Sequence, residues 1–298
     1  ALRSARRRRA ARPSAVPAYL TLMPAAAPSS TSSRNRPSSP PAERIIPLAY
    51  GISQATKGKL VFLRVVQDPA ESWTEEERLN DCARQYGAQL RIAVSPDPPG
   101  AIRAELMREQ RAIAALTTHG RTAWTEAIMG SVALGVLREA MRPVLLFKPQ
   151  VNREAPKKIT TVAAALDGSA FSEKILSFAV RATRSLSARL LLLQALPVHR
   201  PRAILSHEEE ADIVESSYLH RKAAEIQANQ GIEAQWEVLH GEPGDALCRY
   251  LKDMPETLLA MATHARAGAE RFVMGSIAGF CVRHAVVPLL LYWPPLKN

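Results

Sequence analysis

The second half of the chain alternates between two periods of apolar residues. Ile159–Leu166 is a short apolar run ending at Asp167-Gly168-Ser169, the pattern of a strand meeting a turn. Over Phe171–Leu186 the apolar residues Ile175, Leu176, Phe178, Ala179 and Ala182 recur at helical spacing. Arg189–Leu196 is nearly all apolar, as expected of a parallel strand covered on both faces. The pattern then predicts a charged helix over Glu208–Asn229, a strand over Ala234–Leu239 and a helix over Gly244–Leu251. A strand over Thr257–Ala262, a helix over Val273–His284 and a last strand over Val286–Trp293 complete this half. The first half gives the same order from its first helix onward: helix Ala42–Thr56, strand Lys59–Val66, helix Thr74–Tyr86 and strand Gln89–Val94. Helix Ala101–Glu109, strand Ala112–Thr117, helix Ile128–Ala140 and strand Val144–Lys148 follow. Strands separated by helices imply right-handed crossovers, so the fold class is α/β, with doubly wound parallel sheets.

The two halves are copies of one another. Thr118-His119, ten residues, Gly130-Ser131, six residues, Arg138, Ala140 and Pro143 recur 145 residues later as Thr263-His264, Gly275-Ser276, Arg283, Ala285 and Pro288. Met129 and Met274 precede each Gly-Ser. Glu43–Val66 also aligns with Glu173–Leu196 at an offset of 130, placing Ile45 on Ile175 and Ala49 on Ala179. The offset grows by fifteen between these matches, which places an insertion in the Pro197–Ser206 loop and the helix after it. One element has no partner. At the offset of 130, Ile159–Leu166 falls on the polar stretch Ser29–Arg36, and Asp167 falls on Pro37. The first domain is therefore expected to lack its opening strand, to be the less stable and to be empty. Tyr19–Met23, held between Pro17 and Pro24, is the nearby apolar segment available as a substitute.

Composition refines this division. The 298 residues suit two domains, predicted as 42–150 and 157–298, behind a tail over 1–41. The formal net charge of +11 is concentrated in that tail: residues 1–43 hold eight Arg and one Glu, and the remainder carries only +4. Arg6-Arg7-Arg8-Arg9 and the Pro/Ser/Ala-rich stretch after it are expected to be disordered. The tail reads as a targeting peptide, a nucleic-acid arm, a solvated extension or translated sequence outside the functional domain. The chain opens on Ala, in keeping with the last of these. No apolar run approaches the roughly 20 residues that cross a bilayer, so no membrane span is predicted. Cys82, Cys248 and Cys281 are isolated, which fits a reducing compartment and gives no metal-ligand spacing.

The repeated Gly-Ser carries the candidate chemistry. A loop entering a helix N-terminus offers free backbone N–H groups and the positive end of the helix dipole, a seat for phosphate. Gly275-Ser276 and Gly130-Ser131 stand at such positions; close helix packing with an N-cap is the structural alternative. Asp167 ends a strand where open α/β sheets place ligands, and it also suits a turn or helix cap. His119 and His264 recur without a neighbouring nucleophile or carboxylate, which favours a loop-ordering role over acid–base catalysis. There is no recognisable Ser-His-Asp set, His-Glu-x-x-His motif, Cys/His cluster or Gly-x4-Gly-Lys-Ser/Thr loop, so catalytic residues are not assigned and an enzyme is not favoured.

The strand followed by Asp-Gly-Ser, with His-x10-Gly-Ser-x6-Arg-x-Ala-x2-Pro, resembles the universal stress protein family. The resemblance runs over Glu43–Lys148 and Lys158–Pro294 in tandem. It implies five-stranded parallel-sheet domains of the adenine-nucleotide alpha-hydrolase-like kind, paired as a pseudo-dimer, with homodimers as a further assembly. It also implies a cytoplasmic stress-response binding or signalling protein, with ATP and magnesium as the cofactors where nucleotide is bound. The nucleotide residues it implies begin with Asp167, Gly168, Ser169 and Ala195, and continue with Met261, Ala262, Thr263, His264, Ala265 and Arg266. Gly275, Ser276 and Ile277 close the set, and Thr117, His119, Gly120, Gly130 and Ser131 are the degenerate equivalents in the first domain. The family motif Gly-x2-Gly-x9-Gly-Ser/Thr is broken at Ala262 and Ala265 in the second copy and at Thr117 in the first. A ligand-free dimerising scaffold and a weak ATPase or transferase of the same fold are the alternative functions. The charge division argues against nucleic-acid binding by the folded part, so any such affinity should come from Arg3, Arg6, Arg7, Arg8, Arg9 and Arg12. A chain starting at Pro41 is expected to bind DNA only weakly in a salt titration; tight, salt-resistant binding would contradict this.

Overall fold

The computed structural model describes residues 18–22, 41–109, 111–118, 129–150, 154–197, 208–263 and 274–294. In the first half the elements are β1 (Ala18–Leu22), α1 (Ile46–Thr56), β2 (Leu60–Val66), α2 (Ala70–Gln85) and β3 (Gln89–Val94). They continue with α3 (Pro98–Arg108), β4 (Ile113–Thr117), α4 (Ser131–Glu139) and β5 (Val144–Phe147). In the second half β6 (Thr161–Leu166), α5 (Leu176–Leu186), β7 (Arg189–Leu196), α6 (Glu208–Gln230) and β8 (Ala234–His240) are followed by α7 (Pro243–Tyr250) and β9 (Thr257–Ala262). The last two are α8 (Ser276–His284) and β10 (Leu289–Tyr292). A 3-10 turn leads into α1 at Pro41–Ile45 and into α5 at Ser172–Ile175. Among the described residues no helix is long and apolar enough to cross a membrane.

All ten strands form one sheet in the order β3-β2-β1-β4-β5-β10-β9-β6-β7-β8. Within each half every pairing is parallel; the halves meet through the antiparallel pair β5–β10, with Leu289 opposite Leu146, Leu290 opposite Leu145 and Leu291 opposite Val144. Alternation along the strands sends residues to two faces. Val61, Leu63 and Val65 of β2 face α3 and α4, and Leu60 and Phe62 face α1 and α2. The second half repeats this, with α7 and α8 on the first face and α5 and α6 on the other. The repeat reaches backbone detail: α1 and α5 both end in a left-handed residue, Lys57 (φ 53°) and Ser187 (φ 51°). Gly58 N donates to Ser53 O and Ala188 N to Thr183 O at the equivalent places. The insertion is visible as well, since α6 has 23 residues where α2 has 16.

The expectation that the first domain lacks its opening strand is corrected. β1 occupies the central position, parallel to β2 and β4, with Leu20 opposite both Phe62 and Ala115. Residues 18–22 therefore belong to the sheet and not to a disordered tail over 1–41. Central positions in a parallel sheet must be filled, because β2 and β4 would otherwise carry unpaired backbone groups beside the core. An apolar segment short enough to fit between Pro17 and Pro24 meets that demand. The register also moves the equivalences. Ala18 lies opposite Leu60 as Val162 lies opposite Leu190, so Ala18–Leu22, not Ser29–Arg36, is the counterpart of Val162–Leu166. A truncation that tests the tail arginines must accordingly end before Ala18.

Proline in a central strand removes a ladder donor. Leu20→Pro is expected to destabilise the first half by on the order of 1–3 kcal/mol, the cost of an unsatisfied buried backbone group. Hydrogen exchange should accelerate in Leu60–Val66 and Ile113–Thr117 and stay unchanged in Arg189–Leu196. An equal response in all three strands would show that β1 does not hold the first half together.

Candidate functional site

The second half changes winding direction between β6 and β9. From β6 the chain runs outward to β7 and β8, then crosses back to β9 and β10 on the other side. A crevice outside the strands' carboxyl ends is the general consequence of such a switch point. Asp167 follows β6 at this place. Its Oδ1 accepts from the Ser169 N–H at 2.9 Å and from the Ser169 hydroxyl at 2.6 Å. The Ser172 N–H donates to Ser169 Oγ at 3.1 Å, the Ser172 hydroxyl to Ser169 O at 2.9 Å, and the Asp167 N–H to Ser172 Oγ at 3.2 Å. Gly168 has a φ of +84°, where a side chain is strained, so glycine is needed for this turn. The carboxylate thus holds the entry to α5, the turn role anticipated for it, and also borders the crevice. Burial works against its ionisation, but the hydrogen bonds from Ser169 and Ser172 outweigh that and lower its pKa.

The other side of the crevice comes from β9 and α8. The Thr263 N–H donates to Tyr292 O at 2.8 Å, tying the end of β9 to β10. Thr263 is buried, and its Oγ1 has no hydrogen-bond partner among the described residues. Gly275 is the N-cap of α8, with φ −51°, ψ 144° and no side-chain cap hydrogen bond. The walls α7 and α8 approach closely: a Cβ on Gly244 would come within 2.8 Å of the Phe280 ring. Pro243 at the start of α7 pre-sets that turn.

These elements enclose a cavity of about 70 Å³. It gathers five of the residues anticipated from sequence: Asp167, Ala195, Met261, Ala262 and Ile277. Gly168 and Ser169 shape its rim through the turn, while Thr263, Gly275 and Ser276 lie at the adjoining ends of β9 and α8. His264, Ala265 and Arg266 lie outside the described residues. Ala165, Leu166, Ser172, Leu193, Pro243, Leu247 and Ala278 also line the cavity and were not anticipated. Pro243-Gly244, opening a helix shortly after β8, is the sequence signal that could have found its α7 wall. Among the described residues no group of three or more His, Cys, Asp or Glu is placed to hold a metal.

The first half reproduces the backbone of this site. Thr118 N donates to Phe147 O at 3.0 Å, Gly130 N donates to Thr118 O at 2.8 Å, and Gly130 caps α4 with φ −59° and ψ 146°. Thr117 is buried at the end of β4, and Ser131 opens α4. A Cβ on Gly130 would meet only Thr118 O, at 3.6 Å, so close packing does not require glycine there. His119 and Gly120 lie outside the described residues.

The family model for the universal stress protein family matches residues 158–292, the half that holds this cavity. Universal stress protein Slr1230 from Synechocystis is 26% identical over 178 residues, covering 59% of this chain and 56% of that protein. Universal stress protein MJ0531 from Methanocaldococcus jannaschii is 26% identical over 78 residues, covering 26% of this chain and 46% of that protein. The chain thus spans about half the length of these relatives. Among solved structures, a universal stress protein from Archaeoglobus fulgidus superposes with a TM-score of 0.64 at 18% identity, covering 93% of this chain and 98% of that one. Protein PA1789 from Pseudomonas aeruginosa, described as functionally unknown, gives 0.60 at 17% identity, with 93% and 92% covered. These likenesses at low identity concern the fold, which is α/β with parallel-stranded halves. The second half, residues 158–292, thus carries a domain of the universal stress protein family.

The Asp167 carboxyl is expected to titrate below its ordinary value of 3.8. A lowered pKa means that its contribution to stability is present above the unfolded carboxylate pKa and is lost as pH falls through the folded value. A carboxyl-carbon NMR titration checks the pKa, and Asp167→Asn should lower stability near neutral pH and flatten its fall toward acid pH. A midpoint at or above 3.8 would show that the serine bonds do not hold the carboxylate.

Proposed function

We propose that the protein is a nucleotide-responsive binding module of the stress response, taking one ATP per chain in the second half. The observation that carries this reading is Asp167 in the lining of the switch-point crevice, whose other side is made by Met261 and Ala262 at the end of β9 and Ile277 and Ala278 in the first turn of α8. Thr263 Oγ1 is buried and has no hydrogen-bond partner among the described residues, a costly arrangement unless something binds it. The first-turn N–H groups of α8 supply donors for phosphate oxygens. The cavity of about 70 Å³ has room for part of a nucleotide, well below the ~300 Å³ or more typical of whole-ligand pockets. In this reading its apolar walls, Met261, Ile277 and Leu247, hold the base, and the phosphates lie toward Gly275-Ser276. Asp167 is the one carboxylate in the lining, so magnesium would arrive with the triphosphate and keep mostly phosphate and water ligands.

Binding in the first half is not part of the proposal. There the sequence after β1 reads Met23-Pro24, with no Asp-Gly-Ser. Calorimetry with ATP is expected to give one site per chain. Gly275→Val should weaken it at least tenfold by placing a branched side chain over the α8 N-terminus, with circular dichroism unchanged. Two sites per chain, or unaltered affinity in a folded Gly275→Val protein, would sink the proposal. No binding of ATP at all would leave the ligand-free scaffold as the better account.

A further inference from the structure

On the sheet face covered by α1 and α5, a second cavity of about 250 Å³ lies over the seam between β5 and β10. Its floor takes residues from each of the four central strands: Ile113 and Ala115, Leu145, Leu290 and Leu258. Its walls are Ala49 and Ile52 of α1 and Phe178 and Ala182 of α5. Protein interiors carry few voids larger than a water molecule, and an apolar cavity of ~150 Å³ stays dry and accepts benzene. This one is larger and its walls are aliphatic and aromatic, so its natural content is an apolar group.

Charge at the cavity has one sign. Arg111, Arg142 and Arg181 line it, and its described lining contains no Asp or Glu. Arg111 and Arg181 are exposed and Arg142 is half-buried. Arg142 Nη1 donates to Leu106 O at 2.9 Å and to Glu109 O at 2.7 Å, and the Arg181 guanidinium lies 5.0 Å from the centre of the Phe178 ring. The repeat makes this clustering informative. The copies of Arg111, Arg142 and Arg181 in the opposite halves are Glu256, Val287 and Gly51, so the positive edge is not a by-product of duplication.

We propose that this seam cavity is a second ligand site, for an amphipathic monoanion: a medium-chain carboxylate, its chain over the leucine floor and its head group at the arginines. The apolar wall gives affinity through surface removed from water, and arginine forks favour a carboxylate over a neutral head group. The site lies mainly on the face opposite the Asp167 cavity and shares no lining residue with it.

The test is calorimetric titration of the full chain with decanoate and, separately, with 1-decanol. Decanoate should bind saturably at one site per chain. Replacing two exposed arginines, Arg111→Gln with Arg181→Gln, should weaken decanoate at least tenfold and leave decanol unchanged. Ala182→Trp should abolish binding of both by filling the cavity, and Asp167→Ala should change neither. Absence of saturable decanoate binding would overturn the proposal, whether another part of the chain or a second copy covers the cavity. Unchanged decanoate affinity in the folded double-arginine variant, or its loss in Asp167→Ala, would overturn it equally.

Discussion

The antiparallel pairing of β5 with β10 is the constraint on which the rest of the architecture depends. Each strand ends its own half, is only four residues long and is apolar: Val144–Phe147 and Leu289–Tyr292. Left as open edges they would expose unpaired backbone groups beside buried leucines, a template for unwanted strand pairing. Joined, they consume each other. The Lys148 ammonium adds a hydrogen bond to the Arg283 carbonyl across the same junction. Opposed strand directions then follow: the carboxyl ends of β1–β5 and of β6–β10 point to opposite ends of the sheet. The remaining edges are β3 and β8, where exposed or half-exposed residues predominate and β8 carries Glu237 and His240.

The pairing also brings α1 and α5 into contact above the seam. Two helices related by a repeat cannot fill the space over their shared axis with identical residues unless these suit both directions of approach. Here the aligned positions carry Leu48 and Phe178, Ile52 and Ala182, Thr56 and Leu186. The paired volumes differ in both directions, and Ile52, Thr56, Phe178, Ala182 and Leu186 all line the seam cavity. The other sheet face is closed by pairs that contact tightly, as at Gly135 against Pro99 and Gly244 against Phe280.

Much of the fold was legible because the strong signals were local. β3, β7 and β9 fall on the bounds expected from their apolar runs, and the two helix–turn ends after α1 and α5 follow the repeat. β1 was obscured for a physical reason. The alignment offset was taken from the helix that follows, whereas the linker between β1 and that helix is longer in the first half, so the strand lay outside the compared window. Five apolar residues amid Pro and Ser give little signal alone; the demand for them arises in the sheet, from the ladders of β2 and β4. At the site, strand-end positions such as Asp167, Ala195 and Met261 followed from the motif, while Leu193 and Leu247 came into the cavity through packing. The seam cavity was illegible, since it depends on which half's helix meets which half's strand.

The repeat separates what the scaffold requires from what each half is free to change. Thr118 and Thr263 make the same backbone bond to Phe147 and Tyr292, and Gly130 and Gly275 cap their helices with nearly the same dihedrals. Those features satisfy buried backbone groups, whose loss costs about 1–3 kcal/mol each, and they persist in both halves. The differences fall on side chains beside strands: Arg111 against Glu256 and Arg142 against Val287. Substitutions there leave the sheet intact and alter only what the adjoining cavity presents. A duplicated sheet with an internal seam can thereby carry one polar crevice and one arginine-rimmed apolar cavity on a single set of backbone hydrogen bonds. The divergence of the halves is then chemical specialisation placed where it costs the fold least.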